Sequence, residues 1–562
     1  MKLTGAEILV RSLIEQGVTD VFGYPGGQII NVYDALYKYK DEINHILTAH
    51  EQGASHAADG YSRATGKVGV CIATSGPGAT NLVTGIATAM LDSIPMVAIT
   101  GNVPCALIGK DSFQEIDITG VTLPITKHNY FVNKIEELAD VVREAFMIAK
   151  SGRPGPVLID IPKDVQMATY DYEPKSHPVD KMPLPHASEA ELREAVELVN
   201  EAKRPYIYIG GGAAGLGLGE EIVAFAEKIG AVIGCSFMGL SAVSNDCERF
   251  LGMQGMHGHY ASSMAQNESD LIIGIGVRFS DRATGNVKKY ARNTKIIQLD
   301  PDFAEINKNV AVDCGIVGDV EHAFRYIAQN SIAQDKPEWL SRVEELKADE
   351  ARFEKEIELA SGDALTPKKV IEKINELKPP RTVIVTDVGQ HQMWTAQYAK
   401  FDTTRRFVSS GGLGTMGFGL GAAIGARVAT DDPTVLITGD GSFGMNLNEL
   451  ATAVSHNIPV VIVIMDNGVL GMVRQWQTLF FGKRYSNTVL TDRKTDFVKL
   501  AEAFGADGYR ASTREEFEEA FKKAVDSGRV AVIDTIVDKD EFVLPMLPPG
   551  GSIDDIITNI DK

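Results

Sequence analysis

Two short segments in the last third of the chain contain the residue types of a metal site. Gly439-Asp440-Gly441 follows the apolar run TVLIT, and Asp466-Asn467 follows the apolar run VVIVIM. If both runs are adjacent parallel strands, a carboxylate and an amide oxygen meet at one sheet edge, and Mg²⁺ favours such oxygen ligands. The glycines let the backbone approach a phosphate group closely. Taken separately, GDG also indicates a tight turn and Asp-Asn a helix cap.

A second candidate for chemistry is the carboxylate of Glu51, in the segment TAHEQGASHAADGYSRATGK. It follows the apolar run INHILTA, at the point where an alanine-rich helical pattern begins. A glutamate in the first turn of a helix can simply complement the helix dipole. It can also transfer a proton to a bound group, and position alone does not decide between these roles.

The elements that must position these residues are predicted by apolar runs along the whole chain. Helical patterns separate the runs, which are VGVCIAT, PMVAIT, PVLIDI, PYIYIGGG, DLIIGIG, KIIQLD, TVIVTD, TVLITGDG and PVVIVIMDN. Strands this apolar are typical of parallel sheets covered by helices on both faces. The pattern predicts an α/β protein with doubly wound parallel sheets.

Composition shifts divide the chain into three such units. The segment 170–188 is rich in proline and polar residues, and the segment 328–369 is a charged, partly helical connector. We therefore expect domains over 1–170, 189–330 and 370–545, followed by a tail over 546–562. A chain of 562 residues exceeds what one hydrophobic core supports, which agrees with this division.

Charge and cysteine content exclude several classes of function. The net charge of -20 argues against a nucleic-acid or anionic-membrane partner, because such partners need clustered Lys and Arg. The five cysteines are scattered without a CxxC pair, so we expect reduced thiols rather than disulfides or a zinc site. The N-terminal segment carries charges within its apolar pattern, unlike a signal peptide, and a cytoplasmic location is expected.

Taken together, the GDG segment and the Asp466-Asn467 pair resemble a known cofactor motif. The unit that opens with GDG and closes with an Asn-terminated strand resembles the thiamine-diphosphate motif, and the succession from Glu51 to TSGPGATN resembles the pyrimidine-binding domain of the same enzymes. The resemblance covers nearly the whole chain and is closest to acetolactate synthase catalytic subunits. It is carried by VFGYPGG, FQEIDI, ITKHNY, GRPGPVLIDIPKDV, LGMQGMHG, RFSDRATG, DVGQHQMW, GGLGTMGFGL and VRQWQ.

The resemblance implies roles for the residues that face thiamine diphosphate. Glu51 would protonate the aminopyrimidine ring, so that the exocyclic amine can act as a base. Asp440, Asn467 and the carbonyl of Val469 would bind Mg²⁺, although Asp466 stands where the family usually has Asn. The other implied cofactor contacts are Gln390 and His391 at the diphosphate, Gly414 and Met416 at the aminopyrimidine, Gly441 at the GDG turn, and Met445 as the apolar wedge that bends the cofactor.

The implied substrates are pyruvate and 2-ketobutyrate, joined to give 2-acetolactate or 2-aceto-2-hydroxybutyrate for branched-chain amino acid synthesis. Trp476 resembles the indole that favours the larger second keto acid, and it could equally be an interface anchor. A pocket of this type distinguishes one methylene by about 1 to 3 kcal/mol. The implied channel residues are Phe113, Gln114, Lys163 and Met472.

The middle unit resembles an FAD-bearing central domain. Arg153 and Arg278 are the implied flavin contacts, with Asp300 and Asp319 near the adenosine end. The same motifs are compatible with a plain Rossmann-like domain. The chain also departs from the family pattern, with His259, Ser263, Ser280 and Leu123 in place of Thr, Asn, Asp and Arg.

The resemblance also implies an assembly. Glu51 of one subunit would meet the cofactor held by another, so a homodimer or tetramer is expected, with a separate regulatory small subunit as a further partner. The sequence is also compatible with three alternative functions: a pyruvate oxidase, a simple 2-keto acid decarboxylase, and an inactive cofactor-binding homologue.

Overall fold

The computed structural model describes residues 1–559, which form three six-stranded sheets flanked by helices and one two-stranded sheet. All neighbours in the six-stranded sheets are parallel. The predicted α/β class with three parallel sheets is confirmed. The last three residues of the predicted tail, 560–562, lie outside the described part of the chain.

The first unit starts at the N-terminus. Its elements are β1 (Lys2–Thr4), α1 (Gly5–Glu15), β2 (Asp20–Gly23), α2 (Ile30–Lys38), β3 (Asn44–Leu47), α3 (Glu51–Thr65), β4 (Gly69–Ala73), α4 (Pro77–Asn81), α5 (Val83–Asp92), β5 (Met96–Asn102), α6 (Ile118–Thr122), β6 (His128–Phe131), α7 (Ile135–Lys150), β7 (Pro156–Pro162), α8 (Lys163–Met167) and β8 (Thr169–Asp171). The strand order is β3-β2-β4-β5-β7-β6, and β1 pairs with β8 in antiparallel fashion. The order changes direction between β2 and β4, where such sheets bind ligands.

The central unit has the same architecture. Its elements are α9 (Glu189–Glu201), β9 (Pro205–Ile209), α10 (Gly211–Leu216), α11 (Gly219–Ile229), β10 (Val232–Cys235), β11 (Phe250–Met253), α12 (Tyr260–Glu268), β12 (Leu271–Ile275), α13 (Asp281–Thr284), β13 (Lys295–Asp300), β14 (Cys314–Val317) and α14 (Val320–Asn330). The strand order β11-β10-β9-β12-β13-β14 changes direction between β9 and β12.

A long helix, α15 (Pro337–Ser361), connects the central unit to the third. The elements of the third unit are α16 (Pro367–Leu377), β15 (Val383–Thr386), α17 (Gln390–Tyr398), β16 (Phe407–Val408), α18 (Gly419–Thr430), β17 (Thr434–Gly439), α19 (Asp440–Asn446), α20 (Glu449–Ser455), β18 (Val461–Asp466), α21 (Gly471–Phe480), α22 (Phe497–Phe504), β19 (Asp507–Ala511), α23 (Arg514–Ser527) and β20 (Ala531–Ile536). The order β16-β15-β17-β18-β20-β19 changes direction between β15 and β17.

Burial of the strands explains why apolar runs in the sequence predict them. Each predicted run forms a strand, and β4, β5, β7, β9, β12, β15 and β17 are buried at every residue. Several outer strands were not predicted from apolar runs, because their residues are partly exposed and less apolar. Strand β6, with the sequence HNYF, has no fully buried residue.

Helices α3 and α18 cross at very short range and join the first unit to the third. A β-carbon on Gly60 would lie 2.1 Å from the carbonyl oxygen of Ala422, and one on Gly425 would lie 1.8 Å from that of Ala57. No larger residue fits at either glycine without moving backbone. Since α3 begins at Glu51, this crossing also helps to fix the position of that carboxylate.

The structure also shows the state of the cysteines and the character of the helices. All five cysteines are free thiols, three of them buried. Among the residues described, no helix is both long enough and apolar enough to cross a membrane.

Candidate active site

The carboxyl ends of β15 and β17 bring four predicted cofactor residues to one edge of the third sheet. Gln390 and His391 open helix α17 directly after β15, and Asp440 and Gly441 open helix α19 directly after β17. The two strands are neighbours at the point where the strand order changes direction. Two helix N-termini therefore face the same crevice, an arrangement that suits an anionic ligand.

His391 is a neutral donor or acceptor in this crevice. It is buried against Gly439, where a β-carbon would lie 2.9 Å from Nδ1. Burial lowers the pKa of His391 to about 3, so the imidazole is uncharged near neutral pH. Its Nε2 has no hydrogen-bond partner within residues 1–559. A buried ring nitrogen without a partner is suited to contact a ligand.

Three carboxylates lie along the same edge of the sheet. Asp440, Asp466 and Asp534 come from the adjacent strands β17, β18 and β20 or from the residue that follows. Burial and the nearby Asp466 carboxylate raise the pKa of Asp440, and burial raises that of Asp534 in spite of its ion pair with Arg510. Neighbouring carboxylates repel each other, and a divalent cation relieves that repulsion.

Asn467 and Val469 complete the predicted metal site. The Val469 N–H donates to Asn467 Oδ1 at 3.2 Å, and Asn467 Nδ2 donates to Gln390 Oε1 at 3.4 Å. Gln390 in turn donates to Gln475 Oε1 at 3.0 Å. These bonds link the turn after β18 to helices α17 and α21.

The segment 411–418 forms one wall of the crevice. Gly417 N and Gly419 N donate to the buried carboxylate of Asp387 at 2.8 and 3.2 Å, which anchors the segment beside the end of β15. Met416 approaches the GDG turn, since a β-carbon on Gly441 would lie 3.9 Å from Met416 Cε. A β-carbon on Gly417 would lie 3.1 Å from Met445 Cβ, and Met445 is half-exposed. Gly414 has a φ of +68°, in the left-handed region that favours glycine.

Asp92 ties this wall to the first unit. Gly411 N and Gly412 N donate to the Asp92 carboxylate at 3.0 and 2.7 Å. Arg63 on α3 also donates to Asp92, at 3.0 Å, and to the carbonyl of Ser409 at 2.7 Å. A single buried arginine thus bridges two units beside the crevice.

The first unit carries a second group of predicted residues. Asn81 Nδ2 donates to Glu51 Oε2 at 2.9 Å. Lys163 Nζ donates to the carbonyl of Gly27 at 3.0 Å, and Gln114 packs so closely on Gly76 that a β-carbon there would lie 2.9 Å from Gln114 Cα. These contacts surround the carboxyl ends of β2 and β4.

Phe113 and the residues of α21 stand apart from this first-unit group. The Phe113 side chain is 84% exposed. Met472 and Trp476 lie on α21 in the third unit, where Trp476 stacks edge-on against Phe480 with ring centroids 5.6 Å apart. No hydrogen bond within the described chain joins Glu51 to Gln390, His391, Asp440 or Asn467.

Glu449 is a buried acid near Glu51 that no sequence pattern singles out. It opens α20, is fully buried, and accepts from Ala49 N at 3.1 Å. Burial raises its pKa, and the Glu51 carboxylate adds to that effect. Asp387 and Asn81 were also given no role from sequence; of the three, Asp387 alone had a signal, its place directly after the apolar run TVIVT.

The central unit brings three of the four predicted FAD residues to one sheet edge. Arg278, Asp300 and Asp319 follow or end β12, β13 and β14. Arg153 reaches over from the first unit and pairs with Glu305 at 2.5 Å.

Both aspartates of this group, Asp300 and Asp319, accept hydrogen bonds from backbone N–H groups. Burial raises the pKa of Asp300 to about 6, and its Oδ1 accepts from Asp302 N at 2.9 Å. Asp319 caps α14 by accepting from His322 N at 3.0 Å.

A glycine cradle lies at the change of direction between β9 and β12. A β-carbon on Gly212 would lie 2.8 Å from Gly276 Cα, and one on Gly210 would lie 2.1 Å from the Gly276 carbonyl oxygen. Glu305 follows Asp300 closely in the sequence. Its Oε2 is buried and has no hydrogen-bond partner in the described chain. A glycine-lined edge of this kind is typical of dinucleotide sites.

Comparison with known proteins identifies all three units. Models of the thiamine pyrophosphate enzymes match as N-terminal TPP binding domain over residues 3–121, central domain over 192–327 and C-terminal TPP binding domain over 387–535. The two binding-domain matches support thiamine diphosphate as a cofactor.

Curated relatives match nearly the whole chain. A probable acetolactate synthase large subunit of Methanocaldococcus jannaschii is 46% identical over 570 residues, covering 99% of this chain and 96% of the relative. Acetolactate synthase isozyme 2 large subunit of Escherichia coli is 44% identical over 99% of this chain and 100% of its own length. The acetolactate synthase large subunit of Corynebacterium glutamicum is 46% identical over 99% of this chain and 90% of its own length. The chain therefore belongs to the acetolactate synthase large-subunit family of thiamine pyrophosphate enzymes.

Proposed function

We propose that this chain decarboxylates pyruvate and transfers the remaining two-carbon unit to a second 2-keto acid. The product is 2-acetolactate with pyruvate as acceptor and 2-aceto-2-hydroxybutyrate with 2-ketobutyrate, both precursors of branched-chain amino acids. The observation that carries the proposal is the convergence of Gln390, His391, Asp440 and Asn467 on one edge of the third sheet. Thiamine diphosphate, when bound, supplies the electron-accepting ring for the decarboxylation.

The diphosphate end of the cofactor has suitable partners in the third unit. His391 Nε2 is buried and without a partner in the described chain, and the N-terminus of α17 favours negative charge. Asp440, Asn467 and the Val469 carbonyl would hold Mg²⁺, which offsets the repulsion between Asp440 and Asp466. Gly441 leaves room for the diphosphate, and Gly414, Met416 and Met445 would hold the aminopyrimidine side.

Glu51 would exchange a proton with the aminopyrimidine ring. Asn81 Nδ2 donates to one carboxylate oxygen at 2.9 Å, which would leave the other oxygen for the ring nitrogen. A homodimer or tetramer in which Glu51 serves the partner subunit's cofactor is the assembly that the family resemblance implies.

Substrate residues from both groups would then line one pocket. Lys163 is a partly exposed cation at the start of α8, suited to a keto-acid carboxylate, and Phe113 and Gln114 lie on the loop between β5 and α6. Met472 and Trp476 add apolar walls that favour the larger acceptor and exclude water. An exposed Phe113 side chain is what an interface-completed pocket predicts.

FAD would occupy the glycine cradle of the central unit. Arg153 and Arg278 would contact the flavin side, and Asp300 and Asp319 lie towards the adenosine side. The close approach of Gly212 to Gly276 supports this assignment, because dinucleotide-binding folds use a glycine for such tight packing of the first helix on its strand. A regulatory small subunit is a further expected partner, since the relatives are named large subunits.

The test is the product distribution from pyruvate. Purified protein with Mg²⁺ and thiamine diphosphate, with and without FAD, is incubated with pyruvate, and acetolactate, acetaldehyde, acetate and CO₂ are measured. We expect acetolactate as the main product with about one CO₂ each. Acetaldehyde as the main product would assign a decarboxylase, and acetate formed with reduction of the flavin would assign an oxidase. Addition of a candidate small subunit and valine then tests regulation.

A further inference from the structure

A second polar cluster lies outside the cofactor edges, beside a cleft between α15, α16, α17 and the C-terminal segment. The cleft is open to solvent, and the space within it, solvent included, is about 800 Å³. Its lining residues include Tyr260, Glu350, Glu354, Glu358, Glu372 and Tyr398. His259, which precedes α12, contacts this lining through Glu350.

Three side chains of this cluster offer ligand atoms at metal-binding spacing. His259, Glu350 and Glu354 each provide one nitrogen or oxygen, and these atoms all lie within 4.8 Å of one another. Glu350 and Glu354 are four residues apart on α15, so both project from the same face of the helix. Glu350 Oε2 accepts from Ala261 N at 3.0 Å, which orients this carboxylate towards the start of α12.

The ring of His259 is oriented as in a metal-ligating histidine. Its Nε2 lies 3.1 Å from the carbonyl oxygen of Gln397, an acceptor, so Nε2 donates there, and the proton that a metal ion would displace is the one on Nδ1. Its Nδ1 faces the carboxylates, at 2.7 Å from Glu350 Oε1. Histidine ligands usually donate their other ring N–H to a carbonyl or carboxylate in this way.

The local charge also favours a cation. Lys368 Nζ donates to Glu354 Oε2 at 2.9 Å and lies over the Tyr398 ring at 5.3 Å. Lys369 Nζ is held by the carbonyls of Gly362 and Ala364. Acidic side chains outnumber these two lysines around the cleft. Lys368 is therefore the cation with which a metal ion competes at Glu354.

We propose that this cluster binds a divalent transition-metal ion through His259 Nδ1, Glu350 and Glu354, with waters from the cleft as further ligands. One imidazole with two carboxylates suits a borderline ion such as Zn²⁺ or Co²⁺ better than Mg²⁺ or Ca²⁺, which favour all-oxygen sites. The ion would join α12 of the central unit to the connector α15. Through the Gln397 carbonyl it would also brace α17, whose first residues lie in the cofactor crevice.

The experiment measures Co²⁺ binding to the full chain saturated with thiamine diphosphate and excess Mg²⁺, so that the cofactor metal site is filled. Bound cobalt after dialysis and titration calorimetry give stoichiometry and affinity. We expect one Co²⁺ per chain beyond the cofactor site, with affinity weakened about tenfold or more in His259→Gln and Glu354→Gln. Glu358→Gln, in the same cleft but outside the cluster, is the matched control and should leave affinity unchanged.

Two further measurements keep the test decisive. Lys368→Met removes the competing cation and should strengthen Co²⁺ binding. In the parent protein, Co²⁺ should produce a paramagnetically shifted imidazole N–H signal, which needs no variant. Absence of bound Co²⁺ and of that signal in the parent, or equal binding in His259→Gln and Glu354→Gln, would overturn the proposal and leave an ion pair between His259 and Glu350.

Discussion

Replacing Gly425 by Ala perturbs the crossing of α3 and α18 with a single methyl group. A β-carbon at this position would lie 1.8 Å from the Ala57 carbonyl oxygen, whereas ordinary contacts begin at 3.4 Å, so the helices must separate by about 1.6 Å. The obstacle is backbone and no rotamer change can relieve it. Overpacking of this kind costs about 3 kcal/mol at the upper end of its range, and the better helix propensity of Ala returns about 1 kcal/mol.

We therefore expect Gly425→Ala to lower the free energy of unfolding by about 2 kcal/mol. Activity should fall more, because α3 begins at Glu51 and α18 follows the wall at Gly414 to Phe418. Displacement of reacting groups by about 1 Å costs on the order of 10²-fold in rate. Urea unfolding and acetolactate formation from pyruvate measure the two effects.

The matched control is Gly215→Ala, a helical glycine whose β-carbon would meet only an Arg405 nitrogen, at 3.8 Å. This variant should gain up to about 1 kcal/mol and keep its activity. If Gly425→Ala were as stable and as active as the control, the reasoning about the helix crossing would be refuted.

Three other predictions concern single side chains. Burial alone raises the pKa of Glu15, but hydrogen bonds from Arg143 and its neighbours lower it to about 2, so Glu15→Gln should cost about 3 kcal/mol at pH 7. Because the folded-state pKa is depressed, this difference should shrink as pH falls from about 4.5 to about 2, and an unfolding difference constant over that window would contradict it. Asn81→Leu frees the Glu51 carboxylate and should lower kcat about tenfold or more with little change in KM, and a change confined to KM would argue against the positioning role. Trp476→Leu should reduce the preference for 2-ketobutyrate over pyruvate by about 10- to 100-fold in competition assays, and an unchanged ratio would make this indole an interface residue instead.

The buried strands were predictable because their sequences are continuous apolar runs. PMVAIT and PVLIDI form central strands of the first sheet with no exposed residue. The edge strand β19, with the sequence DGYRA, has one fully buried residue and no such signal. Its place is set by pairing with β20, which a local pattern does not contain.

Some residues of the candidate site were likewise predictable from local sequence patterns, and others were not. Asp440 and Asn467 could be singled out because they end apolar runs, and strand ends meet at a sheet edge. Glu449 could not, because its contact with Ala49 joins residues 400 positions apart. The subunit arrangement in which Glu51 would meet another subunit's cofactor likewise depends on long-range packing, and it stays a prediction from the family resemblance.

The role of Glu51 in proton transfer is tested by comparing the parent protein with Glu51→Gln at equal saturation with thiamine diphosphate. Cofactor affinity is measured by calorimetry, and acetolactate formation from pyruvate is followed at saturating substrate. We expect that the cofactor still binds and that the rate falls by about 10²- to 10⁴-fold, because the proton on the aminopyrimidine ring is lost. A Glu51→Gln variant that forms acetolactate at nearly the parent rate would contradict that role.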